Sequence, residues 1–453
     1  MMGKRHTPTS RRLSQPTLAF VALGCPKALV DAERMLADLG QAGFVLTDRA
    51  DQADVIVVNT CGFLDVARQE ALNEIRNVAR YRRSGRCQRL IVTGCLVERD
   101  GERLRRTVPQ IDSLVSVHNR EQIVRAALDG EPAYMRPAPA AAETDAPRLR
   151  LTPRHYAYLR VSEGCSQHCT FCTIPAIRGP IRSKPAETIL REARELIDDG
   201  AIELVLIGQE TTSYGRDIGY EPGLAGLLRQ LDSLDGLLWL RLMYAYPLTF
   251  TDEVIDAVAE CPRVAKYVDL PVQHISDPIL KAMGRRMGCH QTEKLLHRLR
   301  ERVPGVSVRT TMLVGFPGES ERHFEELLDF VKAFRFDALG AFAFSSEPGT
   351  PAADMPNPVP EPVKQERLDR LMLAQQQIAF DLARSRRGER FEVLVDAADQ
   401  PTRSVARHQG QAPEIDSVTL VEDSDLRPGD RLEVTCVDAD QYDLIAHPAG
   451  DTL

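Results

Sequence analysis

The stretch 165–172 reads CSQHCTFC and follows an apolar run of the chain. Three thiolates on one tight loop can ligate three irons of a 4Fe-4S cube and leave the fourth iron open for another molecule. A zinc site is the alternative, but zinc normally takes four protein ligands, and His168, next to Cys169, is poorly placed as the fourth. The spacing of Cys165, Cys169 and Cys172 therefore favours an iron–sulfur cluster.

Apolar runs alternate with helical patterns around this loop, from residue 156 to residue 345. The six strand-like runs are AYLRV, ELVLIG, LWLRLMYAY, YVDLPV, VSVRTTMLVG and ALGAFAFS. The segments between them carry apolar residues at three- and four-residue spacing, which is typical of covering helices. Six βα units are too few for an eight-stranded barrel, so an open, partial (β/α)6 barrel is predicted. Residues 361–388 are predicted to follow as one long helix that ends at Gly388.

The segment 17–129 shows a second α/β alternation, with strand-like runs TLAFVAL, DVIVVN, RLIVTG and SLVSV. This pattern predicts an open parallel sheet covered by helices. Cys25, Cys61 and Cys95 each follow one of the first three runs, at the edge where open α/β sheets bind ligands. We interpret them as a second cluster site, with buried thiols as the alternative. The adjacent glycines, expected to let the backbone approach a cube closely, are Gly24, Gly62 and Gly94.

The tail, 389–453, changes to short β-like runs, FEVLVD, SVARHQ, SVTLVE and RLEVTCVDAD, separated by Gly, Pro and Asp. It predicts a small all-β barrel. The tail holds 15 acidic residues against five Arg and no Lys, a net charge of −10, whereas the whole chain has −8. The negative charge of the protein is therefore concentrated in the tail.

The composition bounds the class of protein. The 453 residues are 43% hydrophobic and 27% charged, which is typical of a globular chain of several domains. Because it has no long apolar run and no secretory signal, we expect a cytoplasmic location without a membrane. Ten cysteines in a cytosolic chain indicate metal or catalysis rather than disulfides. The cysteines outside the two trios, interpreted as small buried hydrophobes, are Cys87, Cys261, Cys289 and Cys436.

The chain is predicted to have five segments. They are 1–16 (a disordered extension), 17–133 (the N-terminal α/β domain), 134–152 (a linker), 153–384 (the barrel core) and 385–453 (the β-barrel). The first segment is basic and polar, so a nucleic-acid-binding arm is the alternative to disorder. The linker contains the stretch RPAPAAAETDAP, which is rich in Pro and Ala and lacks periodicity.

The segments LGCPK, NTCGF, TGC, EGCSQHCTFC and FPGE, in this order and before a β-rich tail, resemble the methylthiotransferase family of radical S-adenosylmethionine (SAM) enzymes. The match runs over nearly the whole chain from residue 17. It implies that Cys165, Cys169 and Cys172 hold the 4Fe-4S cluster whose open iron SAM chelates. It implies that the earlier trio holds an auxiliary 4Fe-4S cluster. It also implies that the tail is a TRAM domain.

The same resemblance implies contacts with SAM beyond the cysteines. In radical SAM proteins, residues after the second strand hold the methionine end of SAM, and here these are Gly208, Gln209 and Glu210. A later glycine-containing segment lies against the adenine, and here it contains Gly315 and Gly318. Ordinary turn chemistry is the alternative for both segments.

Two branches of the family differ in substrate. One methylthiolates an adenosine of tRNA, and the other an aspartate of protein twelve of the small ribosomal subunit. The segments DLPVQHIS (269–276) and APEID (412–416) resemble the ribosomal-protein branch. A domain of net charge −10 would repel RNA, which is bound through Lys and Arg, but would attract a basic ribosomal protein. We therefore predict that branch, acting on the free protein or on the small subunit, and disfavour tRNA.

The resemblance implies reductive cleavage of SAM to methionine and a 5′-deoxyadenosyl radical, which takes a hydrogen from the aspartate β-carbon. Sulfur from the auxiliary cluster and a methyl group from a second SAM then join that carbon. This chemistry needs an external electron donor and a sulfur source. A protein that only carries electrons or senses redox state through the same cysteines is the non-enzymatic alternative.

Overall fold

The structure is a computed structural model that describes residues 15–131, 133–134, 137, 141–400, 402–422 and 425–450. The predicted extension, 1–16, lies outside the described residues except for its last two positions, and part of the predicted linker does so too. The chain divides into two compact units. The first contains the described residues up to Pro137 together with Pro147–Leu149, and the second contains the remainder.

The first unit is built on one parallel sheet of six strands in the order β2-β1-β3-β4-β5-β6. Its strands are β1 (Thr17–Ala22), β2 (Val45–Leu46), β3 (Val55–Thr60), β4 (Arg89–Gly94), β5 (Ser113–Ser116) and β6 (Ala133–Tyr134). Its helices are α1 (Pro26–Gln41), α2 (Asp65–Ala79), α3 (Tyr81–Ser84), α4 (Cys95–Asp100), α5 (Glu102–Thr107) and α6 (Ile123–Leu128). Every residue of β3 is buried, as expected for a central strand covered on both faces. The predicted open sheet is confirmed, and the two-residue strands β2 and β6 were not predicted.

The central part of the second unit is an open sheet of six parallel strands in the order β14-β13-β12-β11-β10-β7. Its strands are β7 (Tyr156–Arg160), β10 (Glu203–Ile207), β11 (Trp239–Leu242), β12 (Val264–Asp269), β13 (Ser307–Val314) and β14 (Ala338–Ala343), and β8 (Ser162–Glu163) and β9 (Arg182–Ser183) form a separate pair. The helices are α7 (Ile174–Arg178), α8 (Ala186–Asp198), α9 (Gly223–Asp232), α10 (Asp252–Glu260), α11 (Asp277–Ala282), α12 (Cys289–Arg302), α13 (Glu321–Phe334) and α14 (Glu361–Ser385). The six runs predicted from the sequence are the six strands of this sheet.

The two faces of the central sheet differ in chemistry. Along β7, Ala157 and Leu159 join the large apolar core that also contains residues of the covering helices. The alternating residues Tyr156, Tyr158 and Arg160 are also buried but polar. Since successive residues of a strand point to opposite faces, the second face is lined by polar side chains.

The tail forms a closed barrel of five strands in the order β15-β16-β17-β19-β18. They are β15 (Arg390–Gln400), β16 (Arg403–His408), β17 (Thr419–Glu422), β18 (Arg431–Asp440) and β19 (Asp443–Pro448). Strands β15 to β18 correspond to the four predicted runs, and the predicted small β-barrel is confirmed. Strand β19, whose parallel pairing with β17 closes the barrel, was not predicted.

Buried ion pairs join the tail barrel to the polar face of the central sheet. Arg407 of β16 lies 2.8 Å from the carboxylate of Glu203 on β10 and 2.6 Å from that of Asp396. Glu203 also pairs with Arg241 at 2.7 Å, and the side chains of Arg407, Glu203 and Arg241 are almost fully buried. Because a buried charge without a partner is strongly destabilising, the loss of any one of these side chains should destabilise the others.

We predict that Arg407→Met destabilises the folded protein by about 3 kcal/mol, because it leaves the buried carboxylate of Glu203 and the half-buried carboxylate of Asp396 each short of a cation. The measurement is denaturant unfolding followed by the fluorescence of Trp239, which is the single tryptophan and is buried in β11. The control is Arg431→Met, since Arg431 is 61% exposed and lies 4.0 Å from Glu392, so its loss should cost well under about 1 kcal/mol. Equal shifts for the two variants would contradict the prediction.

Within the described residues, no helix is long and apolar enough to cross a membrane.

Candidate functional site

The predicted cluster loop, 165–172, lies at the carboxyl ends of the central strands. The short antiparallel pair of β8 and β9 ties the two flanks of the loop together. The backbone N–H of Cys165 donates to the carbonyl of Gly179 at 3.0 Å, which closes the loop on itself. Cys165, Cys169 and Cys172 are all half-buried. The structure therefore places the three thiols on one closed loop at the end of the sheet where α/β barrels carry their active sites.

A buried network of ion pairs supports the base of this loop. Glu163, just before the loop, pairs with Arg178, just after it, and with Arg160 of β7. Asp145 pairs with Arg160 and Lys184, although it lies in the segment predicted as a linker. The network fixes both flanks of the cysteine loop, and it anchors the end of that segment instead of leaving it without contacts.

The end of α11 holds the middle of the loop from the opposite side. Thr170 donates its N–H to the carbonyl of Met283 at 3.0 Å and its hydroxyl to that of Ala282 at 2.8 Å. Gly284 has φ +74°, and a Cβ there would lie 2.5 Å from the carbonyl oxygen of His168. Only glycine tolerates both conditions, so this position lets α11 contact the cysteine loop. This contact was not predicted, since the two segments are far apart in the chain.

Burial changes the acid–base properties of the thiols. It raises the pKa of Cys165 to about 11 and that of Cys172 to about 12. Both thiols are therefore protonated at neutral pH without iron, and iron binding must release their protons. His168 is exposed, and within the described part of the chain no three His, Cys, Asp or Glu side chains converge on a single metal position. The assignment of ligands therefore rests on the loop and its spacing.

The residues predicted to hold the methionine end of SAM lie beside the cysteine loop. The side-chain oxygen Oε1 of Gln209 accepts from the N–H of Gly164 at 2.7 Å, next to Cys165. A Cβ at Gly208 would lie 2.8 Å from the hydroxyl of Ser162, so glycine lets the segment approach β8.

Glu210 is 3% exposed, and its two carboxylate oxygens differ. Oε1 accepts from the N–H of Ser213 at 2.8 Å and from the hydroxyl of Thr249 at 3.2 Å. Oε2 is buried and has no hydrogen-bond partner within the described residues. A buried carboxylate oxygen without a partner suits a hydrogen-bond donor of a bound molecule.

The predicted adenine segment follows β13 at the same end of the sheet. Gly315 and Gly318 both have positive φ, at 73° and 84°. The N–H of Gly315 donates to Glu319 at 2.9 Å, and Glu319 pairs with Arg367 of α14 at 2.9 Å. Gly318 has open space where a side chain would lie, whereas a Cβ at Gly315 would strike Lys364. The segment is thus a fixed turn with one open position.

The first unit brings Cys25, Cys61 and Cys95 to one edge of its sheet. They follow β1, β3 and β4, which are adjacent and parallel, and all three are half-buried. A Cβ at Gly62 would lie 2.8 Å from the backbone of Cys95, and one at Gly24 would lie 3.2 Å from the Cβ of Cys61. The adjacent glycines therefore let the loops pack closely against one another, and the close approach of the backbone to a cube stays a prediction.

Asn59 is a further residue of this site that the sequence analysis did not identify. It is 1% exposed, and its Nδ2 donates to the carbonyl of Ala28 at 2.8 Å, in the helix that begins beside Cys25. Its Oδ1 faces Gly94, where a Cβ would lie only 2.6 Å away. One amide thus contacts the segments that carry all three cysteines.

The two segments that suggested the substrate branch have internal contacts in this structure. Glu414 of the segment 412–416 accepts from the hydroxyl of Tyr156 at 2.7 Å, and Asp416 lies 3.5 Å from Arg309. Both partners belong to the polar face of the central sheet. His274 of the segment 269–276 is fully buried, 3.5 Å from Glu319. These segments therefore have contacts that stabilise the second unit, and a role in substrate choice would come in addition to this.

Part of the acidic charge of the tail remains exposed. Asp396 and Asp416 are engaged with arginines, as described above, but Glu392 and Glu433 are exposed and lie directly opposite each other on β15 and β18. Like charges opposed across strands are destabilising. Both carboxylates add to the negative charge of the tail, although Arg431 lies 4.0 Å from Glu392.

Comparisons with known proteins cover most of the chain. The Radical SAM superfamily matches residues 159–331, the Uncharacterized protein family UPF0004 matches 17–116, and the TRAM domain matches 388–448. Proteins named "Ribosomal protein uS12 methylthiotransferase RimO" are 41% identical in Desulfitobacterium hafniense and 42% identical in Geobacter sulfurreducens. Each match covers 94% of this chain and 97% of the relative. In Anaeromyxobacter sp. (strain Fw109-5), a protein of the same name is 44% identical over 94% of this chain and 91% of its own length.

Solved structures share the fold at low sequence identity. The radical SAM methyltransferase TsrM from Kitasatospora setae superposes with a TM-score of 0.55 at 16% identity, over 75% of this chain and 74% of its own. The cobalamin-dependent radical SAM enzyme OxsB gives a TM-score of 0.51 at 15% identity, over 81% of this chain and 56% of its own.

Proposed function

We propose that this chain transfers a methylthio group to the β-carbon of an aspartate in uS12, because it belongs to the RimO family of ribosomal protein uS12 methylthiotransferases. The observation that carries the proposal is that identity to relatives of this name extends over 94% of the chain. The chain is thus a radical SAM enzyme, and the alternatives of a tRNA-modifying enzyme and of a non-enzymatic iron–sulfur protein are not favoured.

The cofactors of this family are SAM and two 4Fe-4S clusters. When bound, they supply the reductive cleavage of SAM and the sulfur that is inserted. We propose that Cys165, Cys169 and Cys172 hold the cluster to which SAM binds. Their donor set fits it, because three thiolates ligate three irons and leave the fourth iron open for SAM.

The residues around the cysteine loop are proposed to position SAM. Glu210 would accept, through its unpaired Oε2, from the amino group of the methionine part, and Gln209 holds the backbone beside Cys165. Gly208 keeps this segment close to the loop, and the turn with Gly315 and Gly318 lines the adenine. The proposed role of these residues is to bind and orient SAM, and it includes no proton transfer.

We propose that Cys25, Cys61 and Cys95 hold the auxiliary cluster in the N-terminal domain, 17–133. Support comes from three half-buried thiols on adjacent strand ends, whose loops pack together. The remaining domain boundaries that we propose are 153–384 for the radical SAM core and 385–453 for the TRAM domain.

The substrate is proposed to be recognised partly through charge. The tail, 389–453, has a net charge of −10, which suits a basic ribosomal protein, free or in the small subunit, and does not suit RNA. An external electron donor and a sulfur source complete the proposed partners. We also propose a cytoplasmic location, because the proposed substrate is ribosomal.

The test is anaerobic incubation of the iron-reconstituted protein with SAM, a reductant and purified uS12, followed by intact-mass measurement. We expect uS12 to gain one SCH3 group in place of one hydrogen. A parallel reaction with tRNA should leave its nucleosides unchanged, and omission of SAM should abolish the gain on uS12. Methylthiolated adenosine in tRNA, or unmodified uS12 in spite of SAM cleavage, would overturn the proposed substrate.

A further inference from the structure

The guanidinium of Arg285 lies against a cysteine of the second unit. Its Nη1 is 3.7 Å from Sγ of Cys169, which is within hydrogen-bond range for sulfur. Its Nη2 donates to the carbonyl oxygen of Pro271. The ring of Tyr246 lies 4.3 Å from the guanidinium carbon, and Tyr246 itself is 6% exposed. Because a guanidinium is planar, a sulfur, a carbonyl and an aromatic face together fix its orientation.

The backbone of Arg285 is fixed as firmly as its side chain. Its N–H donates to the carbonyl of Leu280 at 2.8 Å, at the end of α11. Gly284, one residue earlier, packs against the carbonyl of His168, and Thr170 is bonded to the same helix end. Arg285 and the cysteine loop are therefore held together by contacts on both sides of Cys169.

The charge of Arg285 is directed at the sulfur. The described contacts of its guanidinium are with Cys169, Pro271 and Tyr246, and none of these is a carboxylate. Its positive charge is thus not neutralised locally. The exposed neighbour Arg286 carries the same charge without a described contact to a cysteine.

We propose that Arg285 is a positioning residue that raises the reduction potential of the cluster on Cys165, Cys169 and Cys172. This inference rests on the proposed function, which places a cluster there. A thiolate-ligated cluster gains one negative charge on reduction, so a fixed cation that donates to a ligating sulfur stabilises the reduced form. Pro271 belongs to the segment 269–276, so this segment contributes to the cluster site by holding Arg285.

The test is a redox titration followed by electron paramagnetic resonance, in the full chain with Cys25, Cys61 and Cys95 replaced by Ala so that a single cluster is observed. Arg285→Gln keeps a donor but removes the charge, and Arg285→Lys keeps the charge. We expect Arg285→Gln to lower the ratio of reduced to oxidised cluster about tenfold at a fixed potential, which for one electron corresponds to about 59 mV. Arg285→Lys should fall between Arg285→Gln and the parent.

Arg286→Gln is the matched control, and its midpoint should stay close to that of the parent. If Arg285→Gln and Arg286→Gln have the same midpoint, Arg285 has no such role. If Arg285→Gln binds too little iron to titrate, the neutral variant Arg285→Met is titrated in its place, and a midpoint equal to that of the parent would overturn the inference. If the parent itself binds no cluster, the proposed function is refuted. If the parent binds a cluster but its potential does not depend on Arg285, only this inference fails.

Discussion

Replacement of Cys165, Cys169 and Cys172 by Ala should reduce the formation of 5′-deoxyadenosine from SAM to the background of a protein-free reaction. The three thiols lie on one loop that is closed by the hydrogen bond from Cys165 to Gly179. Since they are the proposed ligands of the cluster that binds SAM, the variant lacks the site for the cofactor and not merely a favourable contact. Replacement of a residue that only hydrogen-bonds to a metal ligand typically lowers activity by about tenfold to hundredfold, and we expect a larger loss of SAM cleavage here.

The measurement is chromatography of 5′-deoxyadenosine after anaerobic incubation with SAM and a strong reductant, together with iron analysis. The iron content should fall to about half, because the cysteines of the first unit are unchanged. Cys289→Ala is the control, since Cys289 is also half-buried but begins α12, outside both trios. Continued formation of 5′-deoxyadenosine by the triple variant would show that the loop does not carry the SAM-binding cluster.

Most strands of this fold could be predicted from the sequence, because central strands of parallel sheets are buried on both faces and appear as continuous apolar runs. The run VIVV in β3 is an example. The strands that were missed have physical reasons. β2 and β6 have two residues each and show no period, and β19 reads DLIAHP, which ends in a proline that argues against a strand.

The candidate site was predictable where cysteines directly follow predicted strands. Each cysteine of the first trio follows an apolar run, and parallel strands bring such positions to one edge. The contacts of Asn59 and Arg285 were not predictable, because both residues meet their partners across large sequence separations, although Asn59 itself lies in the predicted run DVIVVN. Asp145 lies in the predicted linker, where its neighbours are Pro, Ala and Thr, and its burial could not be predicted because it depends on Arg160 and Lys184 elsewhere in the chain.

Replacement of Cys25, Cys61 and Cys95 by Ala should abolish methylthiolation of uS12 and leave the cleavage of SAM in place. The two trios belong to different compact units, and the first unit has apolar clusters of its own. Removal of the first trio should therefore leave the loop at Cys165 folded and able to bind iron. What is lost is the proposed source of inserted sulfur, so uS12 should show no gain of SCH3.

The decisive comparison is between two products of one reaction, 5′-deoxyadenosine by chromatography and modified uS12 by intact mass. The triple variant should still form the first product, none of the second, and bind about half of the iron of the parent. Cys87→Ala is the matched control, because Cys87 lies in the same unit and is 5% exposed, and burial raises its pKa to about 11, yet it follows no strand at this edge. If the loss of any buried cysteine of this unit stopped sulfur insertion, Cys87→Ala would stop it too. Parent-like activity of Cys87→Ala, together with loss of sulfur insertion in the triple variant, would therefore show that the position of the trio at the strand ends matters. An unchanged iron content in the triple variant would instead show that the auxiliary cluster is placed wrongly.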